Sequence, residues 1–131
     1  MADFDDDTHP EPNGDLTLQT IAMPADTNAD GDIFGGWLMS QMDMAGGICA
    51  AIRAEGRVST VAVDGMVFLT PVRVGDVVSC YTEILEVGRS SIRIAVEVWT
   101  NVQEDPMKVT EGEFVFVAID DNRRTRIVPE D

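Results

Sequence analysis

The sequence predicts an α+β fold in which one long helix packs against an antiparallel sheet. Residues 35–53 carry large apolar side chains at helical spacing, and they form the one convincing helix of the chain. The segments after residue 57 alternate instead between apolar and polar residues, as strands do. Because the connections between these strands are short, neighbouring strands should run antiparallel.

The predicted elements run from a first strand through the helix to four further strands. Residues 1–14 are acidic and interrupted by prolines and a glycine, so we expect a disordered tail ahead of a single domain at residues 15–129. Gly56 follows the helix as its stop signal. The predicted strands cover residues 15–23, 58–69, 76–87, 91–100 and 108–119.

Alternation assigns the faces of two of these strands. In the first strand, the residues expected on one side are Leu16, Leu18 and Thr20. In the strand at 91–100, the residues expected to face inward are Ile92, Ile94, Val96 and Val98.

The charge of the chain narrows the classes of partner. The formal net charge is −15, and six of the 24 acidic residues lie within residues 1–15. The other acids still outnumber the basic residues, so nucleic acid and anionic membranes are poor partners. No apolar stretch is long enough to span a membrane, and the N-terminus is acidic where a secretory signal would be basic. We therefore expect a cytoplasmic protein.

Histidine and cysteine chemistry is nearly excluded. His9 is the only histidine and belongs to the tail, which leaves no histidine for a catalytic triad or a zinc site. Cys49 and Cys80 lie in apolar runs without a CxxC pair, and we interpret them as buried free thiols.

Residues 26–31 match the first half of a calcium loop of the EF-hand type. Phe34 and Trp37 stand where the later oxygen ligands of such a loop belong. The loop is therefore only half built as a calcium site, and we expect no calcium ion there.

Two glycines open the helix. The first amides of a helix have no intrahelical partner and lie at the positive end of its dipole. At Gly35 and Gly36 a ligand can approach these amides closely. Such an end can hold a phosphate or stabilise the oxyanion that forms when a thioester carbonyl is attacked.

Asp43 is the only charged residue of the helix before Arg53. Helical spacing places it on the side of the small residues and away from the large apolar ones. This position fits an ordinary solvated aspartate, or a carboxylate that faces another backbone or a narrow ligand channel and acts as base or nucleophile. The small residues on this side are Gly36, Ser40, Gly46, Gly47 and Ala50, and the large apolar ones are Trp37, Leu38, Met42, Met44, Ile48, Cys49 and Ile52.

Three blocks of sequence resemble a known family. MPADTNADGDIFGGWLMSQMDMAGG, RVSTVAVDGMVFLTPVRVGDVV and VGRSSIRIAVEVW are similar to the YciA-like acyl-CoA thioesterases of the hotdog-fold superfamily, and the resemblance covers nearly all of residues 16–129. It implies a long central helix wrapped by a curved antiparallel sheet of five to six strands. It also implies a homodimer with sites at the subunit interface, often within a trimer of dimers.

The resemblance assigns roles in the hydrolysis of acyl-CoA. Asp43 is the implied catalytic carboxylate, as general base or as nucleophile, and the resemblance implies that no metal and no cofactor is required. Asn28 would help to place water or the carbonyl from the other subunit, and the amides of Gly35 and Gly36 would polarise the thioester carbonyl. The sequence departs from the family at Asp30, which is commonly Asn. It departs again at Asp64, where Glu is usual.

Coenzyme A needs partners for its phosphates. Residues 88–91 resemble the turn that relatives use near the pantetheine or phosphate arm, and a plain hairpin turn with a solvated arginine is the alternative. Arg57 and Arg126 are further candidates. The predicted CoA-binding residues are Gly88, Arg89, Ser90, Ser91, Arg57 and Arg126.

Three other functions have to be considered for this sequence. A hotdog dehydratase would need a catalytic histidine, which the domain lacks. A non-catalytic acyl-CoA-binding domain and a purely structural oligomer would have no need of the set formed by Asn28, Gly35, Gly36 and Asp43. The residues considered as walls of an acyl pocket are Trp37, Met39, Met42, Met66 and Phe68.

Overall fold

A computed structural model describes residues 11–131 of the chain. One helix, α1 (Gly35–Ala54), lies against a five-stranded antiparallel sheet. The strand order is β1-β3-β4-β5-β2, so β1 and β2 are the two edges and the sheet is not closed. The strands are β1 (Asp15–Ile21), β2 (Val58–Phe68), β3 (Val77–Val87), β4 (Ser91–Thr100) and β5 (Met107–Ala118). The predicted helix-and-sheet architecture is confirmed.

The core lies between α1 and one face of the sheet. The alternation predicted for β4 is confirmed, because its expected inward residues are fully buried. Phe114 and Phe116 of β5 fill the same layer, with ring centroids 6.3 Å apart. From α1, Leu38 and Met42 enter this core.

The predicted orientation of α1 is only partly right. Met44, Ile48 and Ile52 were assigned to the apolar face, yet all three side chains are exposed. Gly46 and Ala50, from the opposite side, are buried instead. A Cβ at Gly46 would lie 2.9 Å from a ring carbon of Phe116, so the sheet approaches the helix where its side chains are smallest. The small residues at 46 and 50 therefore face the sheet.

The close packing at Gly46 gives a testable difference between adjacent glycines. Gly46→Ala should lower the free energy of unfolding by about 1–3 kcal/mol, because the new methyl group presses on a buried ring. In the matched control Gly47→Ala, the nearest atom of Phe116 is 3.8 Å away, and better helix propensity should add about 0.5–1 kcal/mol. Thermal denaturation compares the two. Equal melting temperatures would contradict the packing.

A β-bulge explains why Leu16 of β1 lies on the face opposite to the predicted one. The register shifts between Leu16 and Leu18, so Leu16 lies opposite Tyr81 while Leu18 lies opposite Cys80. Leu18 packs against the core, whereas Leu16 is half exposed on the other face. Simple alternation cannot show this because a bulge inserts one extra residue into the count.

The outer face of the sheet holds the segment that precedes β1. The carboxylate of Glu97 accepts hydrogen bonds from Asn13 N at 3.2 Å, Asn13 Nδ2 at 3.0 Å and Trp99 Nε1 at 2.9 Å. Lys108 Nζ lies 3.6 Å away. Burial by itself would raise the pKa of Glu97, but these donors outweigh it and hold the pKa below its usual value.

The predicted tail boundary at residue 14 stays a prediction, and residues 1–10 lie outside the described part.

Glu97→Gln should therefore remove a pH-dependent contribution to stability. At neutral pH we expect a loss of about 1–3 kcal/mol, because a charged acceptor becomes neutral. The lowered pKa stabilises the folded chain above the unfolded-state pKa of about 4.3, and this contribution is lost as the pH falls through the folded-state pKa. Urea unfolding at one protein concentration should thus show a difference at pH 7 that shrinks on acidification. A constant difference, or an equal loss in the exposed control Glu86→Gln, would contradict this role.

Burial also affects a thiol of the core. Cys80 is fully buried in β3, and burial raises the pKa of its thiol to about 12. Cys49 of α1 is half buried, and both cysteines are free, as predicted.

Within residues 11–131, no helix combines the length and the hydropathy that a membrane span needs.

Candidate active site

Asp43 lies in the third turn of α1, facing β2. Its Oδ1 accepts a hydrogen bond of 2.7 Å from the hydroxyl of Thr60. The carboxylate is half buried, and Oδ2 has no hydrogen-bond partner within residues 11–131. Thr60 therefore orients the carboxylate and leaves one oxygen open to a ligand or a water molecule.

A cleft of about 320 Å³ opens beside this carboxylate. Its polar groups are those of Ser40, Asp43 and Thr60, and the remaining walls are apolar or are formed by glycine. The cleft lies between α1 and strands β2 and β5, and its lining residues are Gly36, Met39, Ser40, Asp43, Thr60, Val63 and Phe114. The arrangement can hold a thioester and part of an acyl chain beside an oriented carboxylate.

The N-terminus of α1 presents unpaired amides, as the glycines predicted. Phe34 precedes the helix without a side-chain cap. Within residues 11–131, the first helix amide with an acceptor is that of Trp37, which donates to Phe34 O at 3.2 Å. A Cβ at Gly36 would meet nothing within 4 Å, whereas one at Gly35 would touch the ring of Phe68 at 3.4 Å. A ligand can thus reach the backbone at Gly36 from the cleft.

Asn28 organises the loop before the helix. Its Oδ1 accepts hydrogen bonds from the amides of Asp30 and Asp32 at 2.9 and 3.1 Å, in a local turn of the Asx type. Its own amide donates to Asp32 O at 2.7 Å. The carbonyl oxygen of the side chain is therefore occupied by the loop, while Nδ2 remains available as a donor.

Among the described residues, no group of three acidic, histidine or cysteine side chains could hold a metal ion.

Gly36 and Asp43 line one cleft but lie apart along the helix. Gly36 and Asp43 are seven positions apart in α1, which at about 1.5 Å per residue is roughly 10 Å. A single thioester group is too small to contact both. Within one chain, a thioester carbonyl held at the amides of the helix start would therefore lie beyond contact with the Asp43 carboxylate.

The candidate CoA residues gather at the other end of the helix. Backbone hydrogen bonds connect the segments that carry them, since Val128 N donates to Arg89 O and Ile119 N donates to Arg57 O. Ala118 N likewise donates to Ser90 O. Six of the nine basic residues of the chain lie in these segments: Arg53, Arg57, Arg89, Arg123, Arg124 and Arg126. Acidic residues share this end, so it is rich in arginine without being uniformly positive.

Two of these arginines are engaged by the fold. Arg126 donates to Ile119 O at 3.1 Å and to Ala54 O at 2.8 Å, which satisfies a carbonyl in the last turn of α1. Arg53 donates to Pro129 O and lies 3.4 Å from a carboxylate oxygen of Asp131. The structure thus gives Arg126 a structural contact, and its role toward CoA stays a prediction.

Arg57 and Arg89 differ from these two. Neither forms an ion pair with another residue of the described chain, and both side chains are exposed. They are therefore the better placed of the predicted CoA residues to meet a phosphate.

Sequence reasoning missed Thr60, Val63 and Phe114 as neighbours of Asp43. The register of β2 could not be read from alternation, because irregularities interrupt it between Thr60 and Ala62 and again between Asp64 and Val67. A threonine near the start of the strand that follows the helix was the only available signal.

Comparison with known proteins identifies the family. Residues 30–106 match the thioesterase superfamily. The acyl-CoA thioester hydrolase YciA of Escherichia coli is 54% identical over 127 residues, which cover 93% of this chain and 96% of that protein.

Two solved structures are similar along most of the chain. One is HI0827, a hexameric broad specificity acyl-coenzyme A thioesterase solved with an aspartate changed to alanine, with a TM-score of 0.87, 54% identity and coverage of 91% and 89% of the two chains. The other is Cj0915, a hexameric hotdog fold thioesterase of Campylobacter jejuni, with a TM-score of 0.83, 37% identity and coverage of 88% and 91%.

The chain therefore belongs to the thioesterase superfamily and has the hotdog fold. Within that superfamily it groups with the YciA-like acyl-CoA thioesterases. The predicted family, fold and class of enzyme, an acyl-CoA thioester hydrolase, are confirmed.

Proposed function

We propose that this chain releases free CoA and a carboxylic acid from acyl-CoA, with Asp43 as the catalytic carboxylate. The observation that carries this proposal is the bond from Thr60 to Asp43 beside a largely apolar cleft. It fixes one carboxylate oxygen and leaves the other facing a space that suits a thioester.

Asp43 can act in two ways, and both use its open oxygen. As a general base it takes a proton from water while the water oxygen adds to the carbonyl carbon. The C–S bond then breaks, its electron pair goes to sulfur, and Asp43 returns the proton to give the thiol of CoA. As a nucleophile its oxygen adds to the carbonyl carbon, the C–S bond breaks, and CoA leaves as a thiolate that takes a proton from water. Water then hydrolyses the mixed anhydride, which releases the carboxylic acid and restores Asp43. In either case the helix amides at Gly35 and Gly36 stabilise the oxyanion.

The proposed site is shared between two chains. The distance of roughly 10 Å between Gly36 and Asp43 along α1 supports this. The outer edge of β2, beside Thr60, is also open to pairing with a second copy. Asn28 and the glycine amides of one protomer would then face Asp43 of its partner. Because the compared structures are hexameric, we extend the proposal to a trimer of such dimers.

No cofactor is needed in this proposal, because water, a carboxylate and backbone amides supply every step. We also place the enzyme in the cytoplasm. The two free cysteines support that location, because thiols stay reduced there.

We propose further that Arg57 and Arg89 hold the phosphates of CoA, while Ser90 and Ser91 supply hydroxyl groups. Arg89→Gln should raise KM for acyl-CoA by about tenfold, which corresponds to about 1.4 kcal/mol, and leave kcat nearly unchanged. The same change should not affect an acyl-pantetheine, which lacks the nucleotide. Arg73→Gln, at the opposite end of α1, is the control and should leave both values unchanged. Equal effects on both substrates would assign Arg89 a role other than phosphate binding.

The overall proposal is tested by a panel of acyl-CoA esters of increasing chain length. Release of free thiol is the expected result, and HI0827, described as of broad specificity, suggests activity on several lengths. Tight binding of acyl-CoA without thiol release would instead favour a non-catalytic acyl-CoA-binding domain.

A further inference from the structure

We infer that Ser40 and Asp43 together hold the attacking water, so that Asp43 acts as a general base and not as a nucleophile. The inference rests on the hydrolysis proposed above and deepens it, because the hydrogen bond from Thr60 alone fits either role of Asp43. It also adds Ser40 to the residues that contact a reacting molecule.

Ser40 lies one helical turn before Asp43, on the same side of α1. Residues spaced by three are neighbours on a helix surface, with Cβ atoms about 5–6 Å apart. Both side chains line the cleft between α1 and β2. A water molecule that donates two hydrogen bonds of about 2.8 Å connects acceptors about 4.4 Å apart. A single water can therefore reach an oxygen of each residue.

The proton of each hydroxyl group in this cleft is already used. Ser40 Oγ lies 2.7 Å from Trp37 O, and because a carbonyl oxygen only accepts, the serine is the donor. Thr60 donates in the same way to Asp43 Oδ1 at 2.7 Å. Both hydroxyl groups therefore offer only acceptor lone pairs to the cleft, as does the open Oδ2 of Asp43.

A cleft with several acceptors and no free side-chain donor suits a water molecule. The other side chains that line it within residues 11–131 belong to Met39, Val63 and Phe114, and they carry no N–H or O–H group. Water donates to two acceptors at once, whereas the oxygen of a thioester carbonyl donates to none. The carbonyl oxygen therefore needs backbone amides as its donors, such as those proposed at Gly35 and Gly36.

The reaction balances with water as the nucleophile. Water directs one proton to Asp43 Oδ2 and the other to Ser40 Oγ, which leaves the lone pairs of its oxygen free for the carbonyl carbon. As the new C–O bond forms, the first proton moves to Asp43. The C–S bond then breaks with its electron pair on sulfur, and Asp43 returns the proton to sulfur. Ser40 keeps its own proton, and the second water proton stays with the carboxylic acid.

Ser40→Ala tests the inference through the pre-steady-state release of CoA. Removal of the acceptor should lower kcat by about tenfold, the value of one ordinary hydrogen bond, and leave KM unchanged. CoA release should be linear from the first turnover, because no intermediate precedes the addition of water. Ser40→Thr keeps the hydroxyl and should restore most of the rate. The matched control is Ser59→Ala, which should change neither value, since Ser59 of β2 is exposed and does not line the cleft.

A burst of CoA equal to the number of sites in Ser40→Ala would overturn the inference. If Asp43 formed a mixed anhydride, loss of the water-binding hydroxyl would slow only the second step, and one equivalent of CoA would appear before that step limits the rate. An unchanged kcat in Ser40→Ala, or an equal loss in Ser59→Ala, would also overturn the inference while the proposed reaction stands.

Two further measurements separate this inference from other causes of inactivity. Alanine favours a helix more than serine does, so Ser40→Ala should melt no lower than the wild type. A lower melting temperature would assign Ser40 a structural role instead. A wild-type protein that releases no thiol would refute the proposed reaction itself, and the role of Ser40 with it.

Discussion

Asp43→Asn is expected to lower kcat for acyl-CoA by about 100- to 10,000-fold, the range that a general base contributes. The amide keeps the shape of the side chain and can still accept the hydrogen bond from Thr60, but it can neither take a proton from water nor attack a carbonyl. Because Asp43 is half buried and forms no ion pair with any residue of the described range 11–131, the variant should melt close to the wild type. Free-thiol detection and thermal denaturation measure the two effects.

Thr60 supplies the matched control for this prediction. Thr60→Val removes only the bond to Oδ1 and should reduce kcat by about tenfold, the value of one ordinary hydrogen bond. Thr60→Ser keeps the hydroxyl and should restore most of the rate. If Asp43→Asn retained the wild-type rate, Asp43 would not be the catalytic carboxylate. If Thr60→Ser reduced kcat as much as Thr60→Val, the hydroxyl of Thr60 would not be the group that orients Asp43.

Mixed dimers of two inactive variants are expected to regain activity. Asn28→Ala and Asp43→Ala should each be nearly inactive alone. In a dimer that contains one chain of each kind, one of its two sites combines both defects, and the other combines the intact Asn28 with the intact Asp43. Purified mixed dimers should therefore show about half of the wild-type activity, as two-fold symmetry requires.

Two differently tagged chains, co-expressed and purified through both tags in sequence, provide assemblies that contain these mixed dimers. In a trimer of dimers with random pairing about half of the dimers are mixed, so this preparation should show about a quarter of the wild-type activity. Mixing the separately purified variants without subunit exchange is the control and should give no activity. Verified mixed dimers that remain inactive would place Asn28 and Asp43 of the same chain in one site and refute the shared arrangement.

The fold followed from the sequence because its local signals agreed with one another. Apolar side chains recur at helical spacing in residues 35–53 and at every second residue in β4. The helix and the central strand were therefore predictable from side chains alone. Irregular pairing was not predictable. The bulge after Leu16 reversed the face of that residue, and the irregularities of β2 concealed the position of Thr60.

The site was predictable to a different degree. Gly35, Gly36 and Asp43 stood out by residue type and position, and the family resemblance supplied the reaction. The orientation of α1 was misjudged because size was taken as the guide to burial. Gly46 is buried because the sheet comes too close for a side chain, and Ile52 stays exposed because no part of the described chain covers it. Contacts with other copies cannot be read from the periodicity of one chain.

The spacing of Gly36 and Asp43 along α1 also affects how the enzyme responds to dilution. A separated protomer retains every catalytic residue, yet under the proposed arrangement it contains no complete site. Specific activity would then decline once the protein concentration falls below the dissociation constant of the dimer. The rate would change with the square of protein concentration in that range, so subunit association would itself set how much enzyme is active.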